Sequence, residues 1–268
     1  MAKPVLIDFE QHSKTLIKTG RGAEFGENVH FIPVIADEVR ALALAYPLCF
    51  LKDNNTGQFG LNVLTGFEAG ENLYLQGDQW RTHYVPIHLR RQPFLVGVTE
   101  EGAKPTSDNT VLTLDMDSAR VNTEQGEGLF NEQGKPSDYL TQMIDLLGQL
   151  MSGNNRTEVF IETLLEHDLI EELQLSITLK DGQQKRFDGL YNINEANLGA
   201  LSSDNLEAFH KKGYLQACYL IAASTGHIQT LVEWKKQHNK TNVISDVRTD
   251  LFDTSPLVLG RCLLMILH

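Results

Sequence analysis

The chain contains 268 residues, of which 41% are apolar and 22% are charged, and its formal net charge at pH 7 is -12. These values are typical of a soluble globular protein with one large domain or two small ones, and they exclude a chain that is mostly disordered. The excess of carboxylates disfavours binding to nucleic acid or to an anionic membrane surface, so we expect neither as a partner.

The hydropathy pattern indicates neither export nor membrane insertion. No stretch approaches the roughly 18 apolar residues that a membrane span needs, and the N-terminus has only a short apolar island at residues 4–7 where a secretory signal needs a longer one. Cys49, Cys218 and Cys262 are odd in number and far apart, which predicts free thiols rather than disulfides or zinc ligands. We therefore expect a cytoplasmic protein without a membrane span, and its oligomeric state stays open.

Short apolar and β-branched runs predict strands throughout the first half of the chain. Residues 1–28 are predicted to be a loosely attached arm with one short strand. Beyond this arm, Asp37 and Glu38 supply the acids that favour a helix N-terminus, and Pro47 ends that helix. The remaining predictions are strands over residues 48–51, 59–64, 72–76, 94–99 and 110–116, a tight turn at Gly77-Asp78 and a short helix over residues 86–91.

The second half of the chain has a helical pattern. The run after Ser137 repeats apolar residues at helical spacing, and Asn154-Asn155 is predicted to separate this helix from a second one at residues 157–169. Two further helices are predicted, the first capped by Ser202 and the second extending over residues 214–237. Helices therefore dominate this part of the predicted fold.

This distribution predicts an α+β fold. It has a strand-rich N-terminal half with a mixed or antiparallel sheet and a helix-rich C-terminal half with one β-hairpin, which Asp181-Gly182 indicates. We expect residues 29–240 to form the main domain, between the arm of residues 1–28 and an atypical tail of residues 241–268. A domain boundary near residue 135 is the alternative.

The sequence lacks the usual motifs for metal, nucleophilic and phosphate chemistry. His83 and His88 are five residues apart, which misses the four-residue spacing of paired ligands on a helix. No GxSxG motif occurs, and no glycine-rich loop is followed by Lys-Ser or Lys-Thr. Cys49 lies in an apolar run, which is typical of an inert buried thiol. We predict no metal and no cofactor, and we assign no catalytic residue.

Residues 66–94, which we call the signature segment, are the most distinctive stretch of the chain. They are rich in aromatic residues, arginine and histidine, and no carboxylate occurs between Asp78 and Glu100. Tryptophan, tyrosine and arginine dominate binding hot spots, because each buries a large area and keeps a polar group. We therefore predict a partner-binding surface formed by Trp80, Tyr84, His88, Arg90 and Arg91.

Two alternatives stay open for these residues. In a structural role, Trp80 and Tyr84 fill the core, and the two arginines pair with the many carboxylates of the protein. In a catalytic role, an active-site pocket is lined by Tyr84, His88, Arg90 and Asp115. Convergence of these side chains in one concave pocket would favour an enzyme, whereas a flat apolar patch would favour a binding protein.

The signature segment also contains a series of short motifs. It includes a Gly-x-x-x-Gly-Glu-Asn-Leu-Tyr run, a tryptophan, Tyr-Val-Pro and Arg-Arg-x-Pro-Phe, which are Gly66, Gly70, Glu71, Asn72, Leu73, Tyr74, Trp80, Tyr84, Val85, Pro86, Arg90, Arg91, Pro93 and Phe94. In these motifs the chain resembles the SapC-like family, bacterial proteins named after a surface-layer locus. The resemblance extends over residues 30–235, and the tail after Lys240 has no counterpart in it.

The resemblance implies an accessory role rather than a specific reaction. Members of the family are often encoded beside halogenase-like and cupin-like proteins and outer-membrane receptors, which implies modification or uptake of peptides or amino acids. A structural role at a surface layer is an alternative implication. The activity of the unrelated peptide-transporter permease of the same name does not carry over. Our hypothesis is a non-enzymatic binding or accessory protein that recognises a peptide or protein partner.

Overall fold

Short antiparallel strands predominate in the described first half of the chain, and helices predominate in residues 138–237. The computed structural model describes residues 3–99, 109–178 and 184–237. The strands are β1 (Pro4–Leu6), β2 (Leu16–Ile17), β3 (Phe31–Pro33), β4 (Leu48–Lys52), β5 (Phe59–Leu64), β6 (Leu75–Gln76), β7 (Gln79–Trp80), β8 (Phe94–Val98), β9 (Thr110–Asp115), β10 (Val121–Asn122), β11 (Glu127–Gly128), β12 (Ile170–Glu172), β13 (Leu175–Thr178), β14 (Gln184–Phe187) and β15 (Leu190–Ile193).

The helices lie mainly after residue 137. They are α1 (Phe9–His12), α2 (Val39–Leu42), α3 (Ile87–Arg90), α4 (Asp138–Glu166), α5 (Glu195–Gly199), α6 (Ser203–Lys211), α7 (Tyr214–Ser224) and α8 (residues 227–237), with short 3-10 turns at Ala23–Phe25 and Ala36–Glu38. The predicted α+β class is confirmed. Every strand pair in the described residues is antiparallel.

The larger hydrophobic core lies against a five-stranded sheet with the order β12-β15-β4-β5-β3. Its central strand β4 is apolar and almost continuously buried from Leu48 to Phe50. Helix α7 and the second half of α4 pack onto this sheet, where Phe160 and Ile221 are buried, and α2 packs against α7. The backbone N–H of Leu48 donates to the hydroxyl of Ser224 at 2.9 Å, which ties the end of α7 to the sheet.

The smaller core lies against a three-stranded sheet with the order β1-β9-β8. Phe94 and Leu114, which face each other across β8 and β9, are fully buried there. The first half of α4 covers them with Leu140, Leu147 and Leu150. Because α4 contributes to both cores, it holds the two sheets together.

Helix α4 is continuous, so the predicted break at Asn154-Asn155 is wrong. Both asparagines point to solvent and leave the helical backbone intact. The neighbouring Gly153 packs so closely that a Cβ atom would lie 2.4 Å from Cδ1 of Ile35. The hydroxyl of Thr157 also accepts a hydrogen bond from the backbone N–H of Ala36 at 2.8 Å. These tertiary contacts stabilise the helix where local propensity is weak.

The predicted helix over residues 214–237 is also wrong, because it is divided into α7 and α8. A turn at Thr225 and Gly226 separates the two helices. The hydroxyl of Ser224 donates to the carbonyl of Ile221, so the last turn of α7 is closed locally. The predicted hairpin is present as the pairing of β13 with β14, and its turn at Asp181-Gly182 lies outside the described residues.

The arm of residues 1–28 is predicted to be loosely attached, but its described residues 3–28 pack against the rest of the fold. Strand β1 pairs with β9, and β2 pairs with β10 and β11. The carboxylate of Glu27 is fully buried and lies 2.7 Å from the guanidinium of Arg120 and 2.6 Å from that of Arg21. The division into arm, domain and tail stays a prediction, and the tail of residues 241–268 lies outside the described residues.

Candidate functional site

Trp80 belongs to a partly buried hydrogen-bond cluster around the hydroxyl of Tyr46. The indole N–H of Trp80 donates to this hydroxyl at 2.5 Å, and the hydroxyl donates to the carbonyl of Tyr84 at 2.6 Å. Burial raises the pKa of Tyr46 to about 12, so the phenol is neutral and can donate. Trp80 therefore makes the contacts expected in the structural alternative, and its role in partner binding stays a prediction.

Aromatic rings extend this cluster. The rings of Tyr46 and Tyr74 stack with their centroids 4.3 Å apart, and the centroid of Trp80 lies 6.3 Å from that of Tyr74. Trp234 from α8 meets Tyr74 edge-on at 5.2 Å, and the guanidinium of Arg81 covers Trp234. Aromatic pairs in these geometries stabilise a fold beyond the area that they bury. The first half of the signature segment is thus held between α8 and the turn that follows α2.

Tyr84 is held by Glu38, a residue that the sequence indicated only as an acid at a helix start. The hydroxyl of Tyr84 and the backbone N–H of Ile87 donate to the same carboxylate oxygen of Glu38, at 3.0 and 2.9 Å. Burial raises the pKa of Glu38, and the hydrogen bonds from Ile87, Ile35 and Tyr84 oppose this effect. Glu38 therefore anchors the start of α3 as well as its own helical turn.

Helix α3 places neighbouring residues on different sides. Arg90 is exposed, and its guanidinium lies 5.9 Å from the ring centroid of Tyr84. His88 and Arg91 are three residues apart, so they share the other side of this short helix. They line a groove of about 780 Å³ between α4 and the strands β8 and β9.

The groove has apolar walls and a polar rim. Its apolar residues come from both strands and from α4: Leu95, Val96, Val111, Leu112, Ile144, Leu147, Leu150 and Met151. Its polar residues besides His88 and Arg91 are Thr110, Ser152, Asn154, Asn155 and Glu158. A concave apolar site with a few convergent polar groups is the usual form of a ligand-binding pocket, and this volume lies within the usual range of about 300–1,000 Å³.

Arg91 provides an unneutralised charge at this groove. Its Nη1 donates to the carbonyl of Phe94 at 2.7 Å. Its Nε is buried and has no hydrogen-bond partner, and Arg91 makes no salt bridge within the described part of the chain. Burial lowers the pKa of Arg91, yet a guanidinium stays protonated in proteins. A partly buried charge without a counterion favours binding of an anion.

His88 is a neutral polar group beside this charge. Burial, followed by the charge of Arg91, lowers the pKa of His88 to about 4. At neutral pH its imidazole therefore carries one N–H donor and one acceptor nitrogen. His88 can hydrogen-bond a ligand without adding a second charge.

The groove does not bring together the predicted catalytic residues Tyr84, His88, Arg90 and Asp115. Asp115 lies at the end of β9, where its carboxylate accepts the backbone N–H groups of Lys3 at 2.8 Å and Asp117 at 3.2 Å. Among the described residues that line the groove, the four are represented by His88 alone. Of the five predicted partner-binding residues, the groove brings together His88 and Arg91.

Other chemistry-bearing groups lie apart from the groove. Cys49 and Cys218 are buried, and burial raises the pKa of each thiol to about 12, so both are neutral at physiological pH. Cys262 lies outside the described residues. No group of three histidine, cysteine or carboxylate side chains with the geometry of a metal site occurs in residues 3–99, 109–178 and 184–237. A second, smaller cavity of about 160 Å³ lies beside Phe67, at the start of the signature segment.

Comparison with known proteins identifies the family. A family model described as SapC matches residues 7–231. The chain belongs to the SapC family. The match confirms the predicted resemblance and extends it to α1 and β2, which pack against the remainder of the fold. No curated protein and no solved structure matches this SapC-family chain. In the described part of the chain, no helix has the length and apolar character that crossing a membrane requires.

Proposed function

We propose that this SapC-family protein is a non-enzymatic binding protein that holds an extended peptide segment of a partner along β8 and the groove. The observation that carries the proposal is the position of the groove beside the open edge of the three-stranded sheet. Strand β8 is the outer strand in the order β1-β9-β8, so one of its edges has no partner strand among the described residues. An extended peptide commonly binds by adding a strand to such an edge.

The hydrogen-bond register indicates which backbone groups face this edge. The N–H of Thr99 donates to the carbonyl of Asn109, and the N–H of Asp115 donates to the carbonyl of Pro93. The odd-numbered residues of β8 therefore form the bonded pairs with β9, and the even-numbered residues direct their N–H and C=O groups outward. The backbone groups of Val96 and Val98 are thus available to an added strand.

The groove supplies pockets that an added strand requires. Side chains of a peptide strand alternate between two faces, so every second side chain points to the same side. Val96 lines the groove from β8, while Ile144 and Met151 line it from α4. Main-chain hydrogen bonds to β8 would provide affinity, and the apolar groove would select the side chains.

The accessory role in peptide or amino-acid modification or uptake belongs to this proposal. A protein that holds a peptide segment without reacting with it could present that segment to a modifying or transporting partner. Support comes from the open β8 edge and from the dispersion of Tyr84, Arg90 and Asp115 away from the groove. The predicted cytoplasmic location and the alternative association with a surface layer stay predictions.

A glycine on α4 allows a direct test of the groove. Gly148 lines the groove, and a Cβ atom at this position would meet nothing within 4 Å. Gly148→Phe should therefore place a ring in the groove from an exposed position of the helix. Gly199, a glycine at the end of α5 with equally open surroundings, provides the matched control Gly199→Phe.

The experiment measures capture of peptides from a display library of random sequences with free C-termini. Wild-type protein and Gly199→Phe should enrich the same family of peptides with alternating apolar residues. Gly148→Phe should bind those peptides at least about tenfold more weakly, because the introduced ring occupies their apolar pocket. Failure of the wild-type protein to enrich any peptide, or equal binding by Gly148→Phe, would refute the proposed function.

A further inference from the structure

We infer that Arg91 binds the C-terminal carboxylate of the bound peptide, which adds to β8 as an antiparallel strand. The inference rests on the proposed function and deepens it, because it defines the chemical group and the direction of the ligand. It assigns the end of the groove at α3 to a free carboxyl terminus and the β8 edge to the residues that precede it.

The backbone of Phe94 fixes the location of Arg91 relative to the open edge. As an even-numbered residue of β8, Phe94 directs its backbone groups away from β9. Its carbonyl accepts a hydrogen bond from Nη1 of Arg91 at 2.7 Å, and its N–H donates to the carbonyl of Arg91 at 2.8 Å. Arg91 therefore occupies the first outward-facing position, and Val96 is the next one along the strand.

Strand direction then determines which end of the peptide meets Arg91. Arg91 lies at the N-terminal end of β8, and an antiparallel strand places its C-terminus at that end. Every strand pair in the described residues is antiparallel, including β8 with β9. A peptide that follows the same pattern ends beside the guanidinium.

The chemistry of Arg91 fits a carboxylate. A guanidinium presents its N–H groups in a planar fork that matches the two oxygens of a carboxylate. Nη1 is engaged with Phe94 and the unpartnered Nε is enclosed by the described residues, so the contact to a ligand falls to Nη2. Glu158 is the one carboxylate that lines the groove within the described fold, but its side chain is exposed and makes no salt bridge with Arg91. The charge of Arg91 is therefore free to bind a ligand carboxylate.

The groove strengthens the ion pair between Arg91 and a carboxylate, and His88 does not compete with it. Partial burial reduces the dielectric screening around Arg91, so an ion pair formed there is stronger than one on an open surface. The neutral imidazole of His88 adds no competing charge and can donate a hydrogen bond to the same group. Arg90, one residue earlier in the chain, is exposed and lies over Tyr84, so it provides a matched control.

The test uses one peptide enriched by the wild-type protein whose binding Gly148→Phe weakens. The peptide is synthesised with a free C-terminal carboxylate and with a C-terminal amide, and its dissociation constant is measured by fluorescence anisotropy. The amide should bind wild-type protein at least about tenfold more weakly, because a charge-assisted hydrogen bond is lost. This comparison requires no protein variant, so it does not depend on how Arg91 contributes to folding.

Variants then assign the effect to Arg91. In Arg91→Gln the free acid and the amide should bind equally, whereas in Arg90→Gln the wild-type difference should persist. In a third comparison, each Asp or Glu of the peptide is replaced by Asn or Gln. This comparison tests whether a side-chain carboxylate, rather than the C-terminal carboxylate, binds Arg91. The inference is overturned if the acid and amide bind wild-type protein equally, if their difference persists in Arg91→Gln, or if a side-chain carboxylate carries it. In each of these cases groove-dependent peptide binding, and with it the proposed function, would still stand.

Discussion

The carboxylate of Glu38 lies 3.0 Å from the hydroxyl of Tyr84 and accepts its hydrogen bond in a site where Glu38 is only 3% exposed. The same oxygen accepts the backbone N–H of Ile87 at 2.9 Å. Glu38 therefore joins the turn before α2 to the start of α3. This relationship gives the Tyr-Val-Pro motif of the signature segment a structural role, because the motif positions α3 and hence the residues of the groove.

Removal of the Glu38 carboxylate should destabilise the protein more than removal of the Tyr84 hydroxyl. Glu38→Ala leaves the N–H groups of Ile87 and Ile35 and the hydroxyl of Tyr84 without their acceptor, and we expect a loss of about 2–4 kcal/mol in the free energy of unfolding. Tyr84→Phe removes a single hydrogen bond and should cost about 1 kcal/mol. Urea unfolding measures both values. An equal cost for the two variants would show that Glu38 is not shared as described.

Stability should depend on the protonation of His88. Burial and the charge of Arg91 lower its pKa from 6.5 to about 4 in the folded protein. The unfolded state therefore binds a proton at His88 more readily than the folded state does. The resulting contribution of neutral His88 to the free energy of unfolding is complete above pH 6.5 and is lost as the pH falls toward 4. We expect His88 to account for about 1–3 kcal/mol of this loss.

The measurement compares urea unfolding of wild-type protein and His88→Gln between pH 7 and about pH 4. The variant should lose less stability over this interval than the wild-type protein. His83→Gln is the control, because His83 is exposed on the same segment. Parallel pH profiles for wild-type protein and His88→Gln would contradict the burial of a neutral imidazole.

Two glycines of α4 should respond in opposite directions to alanine. A Cβ atom added at Gly148 would meet nothing within 4 Å, so Gly148→Ala should stabilise the protein by about 0.5–1 kcal/mol through helix propensity. At Gly153 a Cβ would lie 2.4 Å from Cδ1 of Ile35, so Gly153→Ala should destabilise the protein by about 1–3 kcal/mol. Thermal unfolding distinguishes the two. Stabilisation by Gly153→Ala would contradict the packing of α4 against the turn at residues 36–38.

The two arginines that contact Glu27 should differ in importance. The Arg120 guanidinium is 2% exposed and also donates to the carbonyls of Lys18 and Gly20, whereas the Arg21 side chain is 22% exposed. Arg120→Met should cost about 3–5 kcal/mol, because it removes the principal partner of a buried carboxylate. Arg21→Met should lower the free energy of unfolding by no more than about 1 kcal/mol, because Glu27 keeps its ion pair with Arg120. Similar costs for both variants would argue against a buried Glu27–Arg120 pair.

Local sequence signals predicted individual elements well where local chemistry controls them. Ser137 caps α4 by accepting the N–H of Leu140 at 3.1 Å, and the turn at Gly77-Asp78 joins β6 to β7, with Gly77 at a φ of 61° that favours glycine. The sequence-based prediction was wrong where contacts with residues distant in the chain determine the local structure. Asn154-Asn155 has weak helix propensity, but contacts of Gly153 and Thr157 with the chain near Ile35 keep α4 continuous.

The signature segment shows the same limit for the candidate site. Residue types predicted five binding positions, but they did not indicate which of these side chains contact the fold and which line the groove. Trp80 and Tyr84 bind Tyr46 and Glu38 inside the fold, whereas Arg91 faces the groove. Helical spacing of three residues between His88 and Arg91 was the available signal for a shared face. The groove itself had no sequence signal, because α4 and β8 are far apart in the chain.

By itself, the sequence determined the family, the α+β class and most local elements of this protein, because short-range propensities, caps and turns depend on neighbouring residues. The tertiary structure alone decided that α4 runs unbroken across two cores, that Glu38 holds Tyr84 and that Arg91 lies at an open strand edge. These features depend on the packing of residues distant in the chain, and burial then sets the charge of His88 and leaves that of Arg91 without a counterion in the described fold.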